Sequence, residues 1–378
     1  MNIMIAALSP AMNMTGVSRH AANVVRCLLT RADVSAVHLM VAPWQLETFR
    51  HAVGETDLRL HLHVIPIGPG RVKRNLWYYL GLPALAAQQK VDVVHLSHPH
   101  NPLRSGAFPC PTVVSLHDLY PWDVPENFGC GKALFNRLMW RQCLGASDAI
   151  ACVSDSTRQR LSLCVPKAVT DKAVTIHNCI EAPVLLSGKS PLPNWRGNQF
   201  LLQVSSHYRI KNIPLTLKVF SDLLRKGDIN ASMQLVILGV EGPETLRILR
   251  FIETNGLTGK VVFLQGISDA EVQWCYRNCE ALLAPSIVEG FGFPIAEALL
   301  TGCRIVCSDI PAFRELGGSG CRYFSLGPDE EEAFAEAIRK ALGSPRPMPS
   351  LLPQCSTQVI ARQYMELYRK VISLHGSC

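Results

Sequence analysis

The sequence predicts two α/β domains, each a doubly wound sheet of parallel strands with helices on both faces. Its 378 residues exceed what one hydrophobic core usually holds, so about two domains are expected. Short apolar runs alternate with helical stretches along the chain, and a proline-rich segment without apolar periodicity interrupts them near the middle. These three observations predict a Rossmann-like architecture that occurs twice.

The predicted strands are apolar runs without polar alternation, as expected for parallel strands that are buried on both faces. In the first half of the chain they are NIMIAAL, VHLMVA, LHVIPI, DVVHLS, TVVSLHD, AIACVS and AVTIHN. In the second half they are FLLQVS, QLVILG, KVVFLQ, ALLAPS, RIVCSD and RYFSL. Because ligands of open α/β sheets bind at the carboxyl ends of the strands, the loops after these runs are the expected place for the chemistry.

The domain boundaries follow from where this pattern breaks. We place the first domain at residues 1–180, a linker with three prolines at residues 181–199, and the second domain at residues 200–354. The terminal segment, residues 355–378, is expected to hold a last helix that crosses back onto the first domain.

Composition argues against several classes of protein. A formal net charge of +7 fits an anionic small-molecule substrate or weak attraction to an acidic membrane surface, and no dense run of Lys and Arg points to nucleic acid. The fourteen cysteines form no C-x-x-C pair and many lie in apolar runs, which favours buried thiols in a reducing cytoplasm over disulfides or zinc. The sequence shows neither a signal-peptide pattern at its start nor an apolar run near the roughly 20 residues that span a bilayer.

Several familiar motifs are absent from the sequence. No G-x-G-x-x-G follows a predicted strand, and Gly290-Phe291-Gly292 lacks the third glycine, so a nicotinamide dehydrogenase is disfavoured. The sequence contains neither a D-x-D metal–nucleotide signature nor an H-E-x-x-H zinc motif.

The most specific motif follows the run ALLAPS and reads EGFGFPIAE. Glu289 and Glu297 lie on either side of a glycine turn, in which Gly290 and Gly292 let the backbone approach a ligand closely. The helix expected to begin near Pro294 offers free N–H groups to anionic oxygens. The two carboxylates therefore suit two different diols of one elongated ligand. The alternative is a helix start with a capping carboxylate.

This motif resembles the donor site of glycosyltransferase family four, a family of retaining enzymes with the GT-B fold, in which two Rossmann-like domains face a central cleft. The resemblance implies that Glu289 contacts the sugar hydroxyls of a nucleotide-sugar donor and that Glu297 contacts the nucleotide ribose. It implies that the turn binds sugar and phosphate through its backbone, at Gly290, Phe291, Gly292 and Phe293.

Two segments of the first half agree with this resemblance. His117 and Asp118 close a predicted strand and resemble the family's HD segment, whose histidine lines the cleft beside the reacting sugar. The resemblance makes His117, with Glu289, a candidate catalytic residue and places Asp118 on the acceptor side. The alternative is a structural histidine at a strand end. Gly16 matches a glycine whose backbone approaches the donor phosphate, although Thr15 replaces a second glycine common in the family.

Basic residues follow the first predicted strand of the second half. Lys211, followed by Asn212, resembles the family's lysine that pairs with the diphosphate, and Arg209 lies one position from the usual second base. Fixed cations stabilise the negative charge that grows on the leaving diphosphate. With a helix dipole they would replace a divalent metal, so we expect neither a metal nor a cofactor. The alternative is a solvated loop lysine.

The acceptor side is less specific. A stretch with Arg71, Lys73, Arg74, Trp77 and Tyr78 mixes bases with aromatics. It suits either contact with anionic lipid at the inner face of the membrane, where it would hold a lipid-linked acceptor, or a core helix with a basic start.

Histidines after a predicted strand are further candidates on the acceptor side. His95 and His98 are expected in a loop that faces the cleft, as acceptor contacts, metal ligands or plain loop residues.

The predicted reaction moves a hexose from a nucleoside diphosphate to a hydroxyl of a glycan or lipid-linked acceptor. The resemblance implies retention of the anomeric configuration, with the leaving phosphate helping to deprotonate the acceptor. Relatives with the HD segment include mannosyltransferases of bacterial polysaccharide assembly, which favours GDP-mannose as donor. The alternatives are an epimerase or phosphorylase of the same fold, which a donor-only incubation separates, and a non-catalytic sugar- or nucleotide-binding module.

Overall fold

The computed structural model describes residues 1–12, 14–54, 56–68, 70–99, 102–104, 106–180, 189–192 and 195–376. The chain divides into two compact units, Met1–Glu181 with Pro353–Cys378 and Ala182–Leu352. The predicted linker at residues 181–199 lies outside the described residues over 181–188 and 193–194, and its described parts contain no helix or strand.

Strands form where the apolar runs predict them. Those of the first unit are β1 (Asn2–Ala6), β2 (Ala36–Val41), β3 (Leu60–Val64), β4 (Val93–Leu96), β5 (Thr112–Leu116), β6 (Ala149–Cys152) and β7 (Ala173–Thr175). Those of the second unit are β8 (Phe200–Val204), β9 (Gln234–Leu238), β10 (Val261–Leu264), β11 (Ala281–Ala284), β12 (Ile305–Ser308) and β13 (Arg322–Phe324).

Helices connect these strands. They are α1 (Gly16–Leu29), α2 (Leu46–Val53), α3 (Arg71–Leu76), α4 (Leu82–Gln89), α5 (Tyr120–Asp123), α6 (Cys130–Ala146), α7 (Asp155–Ser162), α8 (Lys167–Thr170), α9 (Ile213–Lys226), α10 (Thr245–Thr254), α11 (Asp269–Asn278), α12 (Phe293–Leu300), α13 (Pro311–Gly317), α14 (Glu330–Leu342) and α15 (Thr357–His375). Short 3-10 helices occur at Pro43–Gln45, Pro125–Asn127, Arg209–Lys211, Gly318–Gly320 and Pro353–Cys355, and a π-helical segment at Trp77–Gly81.

Both sheets are parallel and doubly wound. The order across the first sheet is β3-β2-β1-β4-β5-β6-β7, and across the second it is β10-β9-β8-β11-β12-β13. Every recorded strand pair is parallel. The fold class predicted from the sequence, two Rossmann-like α/β domains, is confirmed.

Both faces of the first sheet are covered, which is why its strands are apolar throughout. Along β1, Ile3 and Ile5 pack into a core with α1 and α15, whereas Met4 and Ala6 pack into a second core on the other face, with residues of α4 and α6. Successive residues of a strand point to opposite faces of the sheet, and here both faces are buried. The strands therefore lack the alternation of apolar and polar residues found when one face is exposed to solvent.

The last helix, α15, packs within the first unit. Ile360, Tyr364 and Tyr368 are fully buried in the core that contains α1. The backbone N–H of Ile180, near the end of the unit's first segment, donates to the carbonyl of Cys355 just before α15. The end of the chain therefore completes the core of the first unit.

The second unit has its own core between its sheet and the helices α9, α10 and α14. Phe220 of α9 and Phe334 of α14 are fully buried there. The ring of Phe334 stacks on Phe324 of β13 with centroids 4.3 Å apart.

The strand order reverses between β1 and β4 in the first sheet and between β8 and β11 in the second. At such a reversal the helices leave on opposite faces, so the loops at the carboxyl ends leave space for a ligand. The loops after β8 and β11 carry Lys211 and Glu289, and the loops after β1 and β5 carry Gly16 and His117.

Candidate functional site

The turn between β11 and α12 requires glycine. Gly292 has a φ of 103°, and a Cβ atom there would lie 2.9 Å from the Phe313 ring. Gly292 precedes the first residue of α12, and Pro294 at the second position fits because the first turn of a helix needs no N–H from it. The local sequence thus forces the chain to turn and begin the helix at this point.

The rest of the turn is packed rather than solvated. Gly290 and Phe291 are buried and Phe293 is half-buried, and the two phenylalanine rings meet edge to face with centroids 5.4 Å apart. The turn therefore holds Glu289, which precedes it, in a defined position.

Glu289 forms an ion pair with Lys211. The Lys211 Nζ lies 2.5 Å from the Glu289 Oε1, and the Ser286 hydroxyl donates to the same oxygen at 2.8 Å. The side chains of Lys211 and Glu289 are only 20% and 10% exposed, so solvent screens this pair much less than a surface pair. The structure thus brings together two residues that are 78 positions apart in the chain.

Backbone contacts fix the loop that carries Lys211. The Gln203 side chain donates to the Lys211 carbonyl at 2.9 Å, and the Ile287 N–H donates to the Ile210 carbonyl at 2.8 Å. Asn212 adopts φ 50°, a left-handed conformation that Asn and Gly tolerate best. This conformation explains why asparagine follows the lysine and lets α9 begin directly after it.

Arg209 begins the 3-10 helix that ends at Lys211. Ile210 between them is buried in the unit, whereas Arg209 is exposed. The one-residue offset noted in the sequence therefore leaves Arg209 on the solvent side of the loop.

Glu297 lies in α12, eight residues after Glu289. Its Oε2 accepts a hydrogen bond of 2.7 Å from the hydroxyl of Tyr276, a buried residue of α11. Nothing in the sequence selects Tyr276, because it precedes Glu297 by 21 positions, lies outside the motif and looks like an ordinary core aromatic.

Two buried polar atoms beside Glu289 have no hydrogen-bond partner. They are the Gln203 Oε1 and the Ser205 Oγ, at the carboxyl end of β8. Both residues line a small pocket with Ser286, Glu289 and Phe313. Buried polar atoms in native proteins are nearly always satisfied, so these atoms indicate a place for a bound polar group. The only signal in the sequence was their position at the carboxyl end of a predicted strand, FLLQVS.

In the first unit, Gly16 is the first residue of α1 and is exposed. Thr15 caps this helix, since its hydroxyl accepts from the Ser18 N–H at 3.2 Å. The threonine that replaces the second glycine of the family pattern therefore has a structural role of its own.

His117 follows β5 and is half-buried. Its Nε2–H donates to the Ser97 carbonyl at 2.7 Å, and its ring meets the His20 ring edge to face with centroids 4.6 Å apart. Burial lowers the pKa of His117 to about 4, although the bond to Ser97 opposes the shift. The imidazole is therefore neutral at pH 7. The Asp118 carboxylate accepts from the Tyr120 N–H at 3.1 Å.

The predicted loop position of His95 is wrong. His95 lies within β4 and is fully buried, because the strand extends one residue beyond it. His98 does follow the strand, but it is buried as well, and its Nε2–H donates to the Leu8 carbonyl at 3.2 Å. Burial lowers the pKa to about 3 for His95 and to about 4 for His98.

His95 belongs to a buried chain of hydrogen bonds that reaches the last helix. The Asn178 Oδ1 only accepts, so His20 donates to it through Nδ1–H at 2.6 Å. The neutral His20 then accepts at Nε2 from the Ser115 hydroxyl, and Ser115 accepts from His95 Nε2–H, each at 2.8 Å. His95 finally accepts at Nδ1 from the Tyr368 hydroxyl at 2.6 Å. Each of these hydrogen bonds therefore has a defined donor and acceptor when both His20 and His95 are neutral.

The basic and aromatic stretch divides between core and surface. Arg74 and Tyr78 are buried, which corrects their predicted place on a membrane-facing side, whereas Arg71 and Lys73 are exposed and Trp77 is half-buried. The helix α3 continues directly into the π-helical segment, and one face of this continuous stretch is buried while the other is exposed.

Among the residues that the structure describes, no three His, Cys, Asp or Glu side chains are arranged to hold a metal ion. Within the same residues, no helix combines the length and the hydropathy needed to cross a bilayer.

Known protein families match both halves of the chain. The family described as Glycosyltransferase Family 4 matches residues 14–182, and the family described as Glycosyl transferases group 1 matches residues 192–354. Fold and site therefore define a class, the glycosyltransferases with two Rossmann-like domains that are known as GT-B. Within this class, the chain belongs to the family 4 glycosyltransferases, whose second domain is the group 1 domain.

Curated relatives are mannosyltransferases. The chain is 26% identical over 278 residues to the O-antigen chain mannosyltransferase RfbU of Salmonella typhimurium. The aligned region covers 71% of each protein. It is 27% identical over 248 residues to the serotype-specific mannosyltransferase WbdA of Escherichia coli. This aligned region covers 62% of this chain but only 29% of WbdA.

Solved structures share the fold at low sequence identity. Anabaena HepE, in complex with UDP and glucose, superposes over the full length of both chains with a TM-score of 0.68 and 16% identity. WaaG, a glycosyltransferase involved in lipopolysaccharide biosynthesis, superposes over 98% of this chain and 99% of its own with a TM-score of 0.62 and 16% identity.

The buried histidines predict that mild acid destabilises the protein. The pKa of His95 is about 3 when folded and about 6.5 when unfolded, so the unfolded chain binds the proton first as the pH falls. Stability from this histidine is intact above about pH 6.5 and is lost progressively towards about pH 3; at pH 5 the loss is about 2 kcal/mol. Glutamine does not titrate, so the His95→Gln variant lacks this loss. Between pH 7.5 and pH 5, the free energy of unfolding of the variant should therefore fall by about 2 kcal/mol less than that of the wild type, as measured by urea unfolding.

His375→Gln is the matched control, since His375 is exposed near the end of α15. Its pH profile should follow that of the wild type. A His95→Gln protein with the wild-type pH dependence would show that His95 is not held neutral.

Proposed function

We propose that this glycosyltransferase moves a hexose from a nucleoside diphosphate sugar to a hydroxyl of a glycan or lipid-linked acceptor, with retention at the anomeric carbon. The observation that carries the proposal is the ion pair between Lys211 and Glu289, beside the unsatisfied polar atoms of Gln203 and Ser205. A cation, a carboxylate and free hydrogen-bonding atoms at the carboxyl ends of two strands match the groups of an activated sugar.

The donor we propose is GDP-mannose. The support comes from the relatives that are named mannosyltransferases and from the HD segment at His117 and Asp118. The donor screen compares guanosine with uridine nucleotides.

The similarity to family 4 glycosyltransferases gives each residue of the donor site a role in this proposal. Glu289 accepts from sugar hydroxyls, Glu297 accepts from the ribose, and Lys211 neutralises the diphosphate, with Arg209 as a second cation. The backbone from Gly290 to Phe293 approaches the sugar and phosphate. The charge on the diphosphate grows as the glycosidic bond breaks, and a fixed lysine and the start of α12 stabilise that charge without reorganisation.

We propose that these groups act without a divalent metal. Lys211 supplies the charge that a metal would otherwise bring to the diphosphate, and its pairing with Glu289 holds it ready in the free enzyme. The departing phosphate oxygen takes the proton of the acceptor hydroxyl, so that no protein nucleophile is needed. His117 is neutral and half-buried, which suits a hydrogen-bond partner of the sugar rather than a charged group.

The donor site is tested by substitution. Lys211→Met should lower kcat about 100-fold or more, because one preorganised cation at the leaving group is lost. Glu289→Gln should lower kcat/KM by a similar factor. Lys218→Met is the control, since Lys218 is exposed and pairs with Glu331 on the surface. The measurements are thermal shifts with GDP, UDP and their mannose and glucose conjugates, followed by transfer to acceptor with and without EDTA.

The same assay separates the competing functions. A product with inverted configuration by NMR, or turnover that disappears with EDTA, would contradict the mechanism. Conversion of donor alone into another nucleotide sugar would identify an epimerase. Nucleotide binding without any turnover would identify a binding module, and the absence of any nucleotide-induced shift would contradict the proposed function.

We further propose that one face of the first unit rests on an anionic membrane. Exposed apolar side chains from α3, its π-helical continuation and α6 form this face, which we call the apolar-basic surface; they are Val72, Leu76, Tyr79, Leu80, Leu134, Phe135 and Leu138. The Arg71 guanidinium lies 5.9 Å from the centre of the Phe135 ring and joins the two helices. Residues 71–89 and α6 contain no Asp or Glu, so the surface carries only positive charge. This combination is typical of interfacial contact with acidic lipids.

A cytoplasmic location is part of this proposal. The twelve cysteines whose side chains the structure describes are free thiols, as expected in a reducing compartment. The apolar-basic surface would then contact the inner leaflet, where a lipid-linked acceptor is available.

The membrane proposal is tested by co-sedimentation with vesicles. Phosphatidylcholine vesicles that contain phosphatidylglycerol should bind the protein, and pure phosphatidylcholine vesicles should not. Replacing Leu134 and Leu138 together by Glu should weaken binding at least about 10-fold, because two leucines that would enter the bilayer interface are lost and two negative charges are added. Replacing Leu246 and Leu249 of α10, which are also exposed, is the control and should change nothing. Equal binding by both double variants would contradict the proposal.

A further inference from the structure

Arg74 is a buried cation that the proposed reaction does not use. It lies in α3, it is only 7% exposed, and its Nε makes no hydrogen bond. The guanidinium has no recorded hydrogen bond or ion pair with any Asp or Glu in the described part of the chain. An arginine side chain stays protonated and carries five N–H donors, so it is costly to bury without an acceptor.

The burial of Arg74 is visible in its electrostatics as well. Burial lowers the pKa of Arg74, and the neighbouring charge of Arg71 lowers it further, while Tyr78 opposes the shift. The local environment therefore contains a surplus of positive charge. A bound anion would remove that surplus.

The neighbours of Arg74 place it at the carboxyl edge of the first sheet. Tyr78 follows Arg74 by one turn, its hydroxyl points to the Leu8 carbonyl after β1, and its ring centroid lies 6.4 Å from that of His98. His98 donates to the same Leu8 carbonyl. Burial lowers the pKa of His98, and the charge of Arg74 contributes to the shift.

This cluster is linked to the candidate catalytic histidine. His98 is preceded by Ser97, whose carbonyl accepts from His117 at 2.7 Å. The Ser97 hydroxyl is buried and has no hydrogen-bond partner. A second unsatisfied polar group thus lies in the residue directly before His98, in the loop that follows β4.

We propose that Arg74, supported by Arg71 and the Ser97 hydroxyl, binds the phosphate group of a phosphorylated acceptor. The acceptor role rests on the proposed glycosyltransfer; phosphate binding itself does not. Phosphate fits this site because the planar guanidinium binds two of its oxygens at once and a hydroxyl adds a further donor. Arg71 lies at the edge of the apolar-basic surface, so a lipid phosphate reaches Arg74 from the side on which its hydrocarbon chain is accommodated.

The test compares three probes by calorimetry and thermal shift: farnesyl phosphate, mannose 1-phosphate and uncharged farnesol. The wild type should bind farnesyl phosphate more tightly than farnesol by about 10- to 100-fold, because charge-assisted hydrogen bonds are lost with the phosphate. Tighter binding of mannose 1-phosphate than of farnesyl phosphate would show that the site binds a soluble phosphate, and it would contradict a lipid phosphate as the ligand. Equal binding of farnesol and farnesyl phosphate would overturn the site altogether.

Variants locate the binding. Arg74→Met should remove the preference for phosphate and raise the Tm of the free protein, because an unpaired buried charge disappears. Lys73→Met, an exposed base on the same helix, should keep the preference. A lower Tm with unchanged phosphate preference would make Arg74 a structural residue and contradict the proposal. If the methionine variant does not fold, Arg74→Lys takes its place. Lysine keeps the charge but lacks the planar guanidinium, so phosphate binding should weaken only partly.

Lys211→Met separates this inference from the donor site. Phosphate binding that persists in Lys211→Met and is absent in Arg74→Met supports the site, even if no nucleotide sugar is turned over. Binding that is lost in Lys211→Met and kept in Arg74→Met would assign the phosphate to the donor site and overturn the inference.

Discussion

The ion pair between Lys211 and Glu289 is the contact on which the second unit's site depends. It joins the loops of two adjacent strands at the point where the strand order reverses. A half-buried pair gains little net stability, because desolvation of both charges offsets most of their attraction. In the proposed function its value is preorganisation. The carboxylate and the ammonium are already positioned in the free protein, where a ligand with hydroxyls and phosphates would replace each as partner of the other.

In the first unit, by contrast, the histidine side chains near the candidate site are kept uncharged. Three histidines near its switch point are held uncharged by burial, and the hydrogen bonds from Asn178 to Tyr368 fix which nitrogen of His20 and His95 carries the proton. Under the proposed function, a neutral and oriented imidazole at His117 would suit the neutral hydroxyls of a sugar without the cost of a buried charge. The last helix completes this arrangement, because Tyr368 supplies the first proton of the chain.

The fold was predictable because each of its strands is a continuous apolar run, and burial on both faces is the physical cause of that pattern. Glu289 and Lys211 were predictable because a glycine turn with positive φ and a left-handed Asn212 leave recognisable residues in the sequence. The motif alone gave no indication of their mutual contact, which depends on the order of strands in the sheet.

Other features were beyond sequence reasoning for equally physical reasons. His95 looked like a loop residue because a polar residue in an apolar run usually marks the end of a strand, whereas here its polarity is satisfied by Ser115 and Tyr368. Arg74 looked like a surface base because arginine is rarely buried without a partner. Tyr276 and Gln203 lie far from the motif in sequence and reach it only through packing.

The most direct test of the account is a crystal structure of the protein with the nucleoside diphosphate sugar that gives the largest thermal shift. We predict that diphosphate oxygens lie within hydrogen-bond distance of the Lys211 Nζ, with ribose hydroxyls at Glu297 and sugar hydroxyls at Glu289. A nucleotide bound away from these residues, with Lys211 still paired only to Glu289, would contradict it.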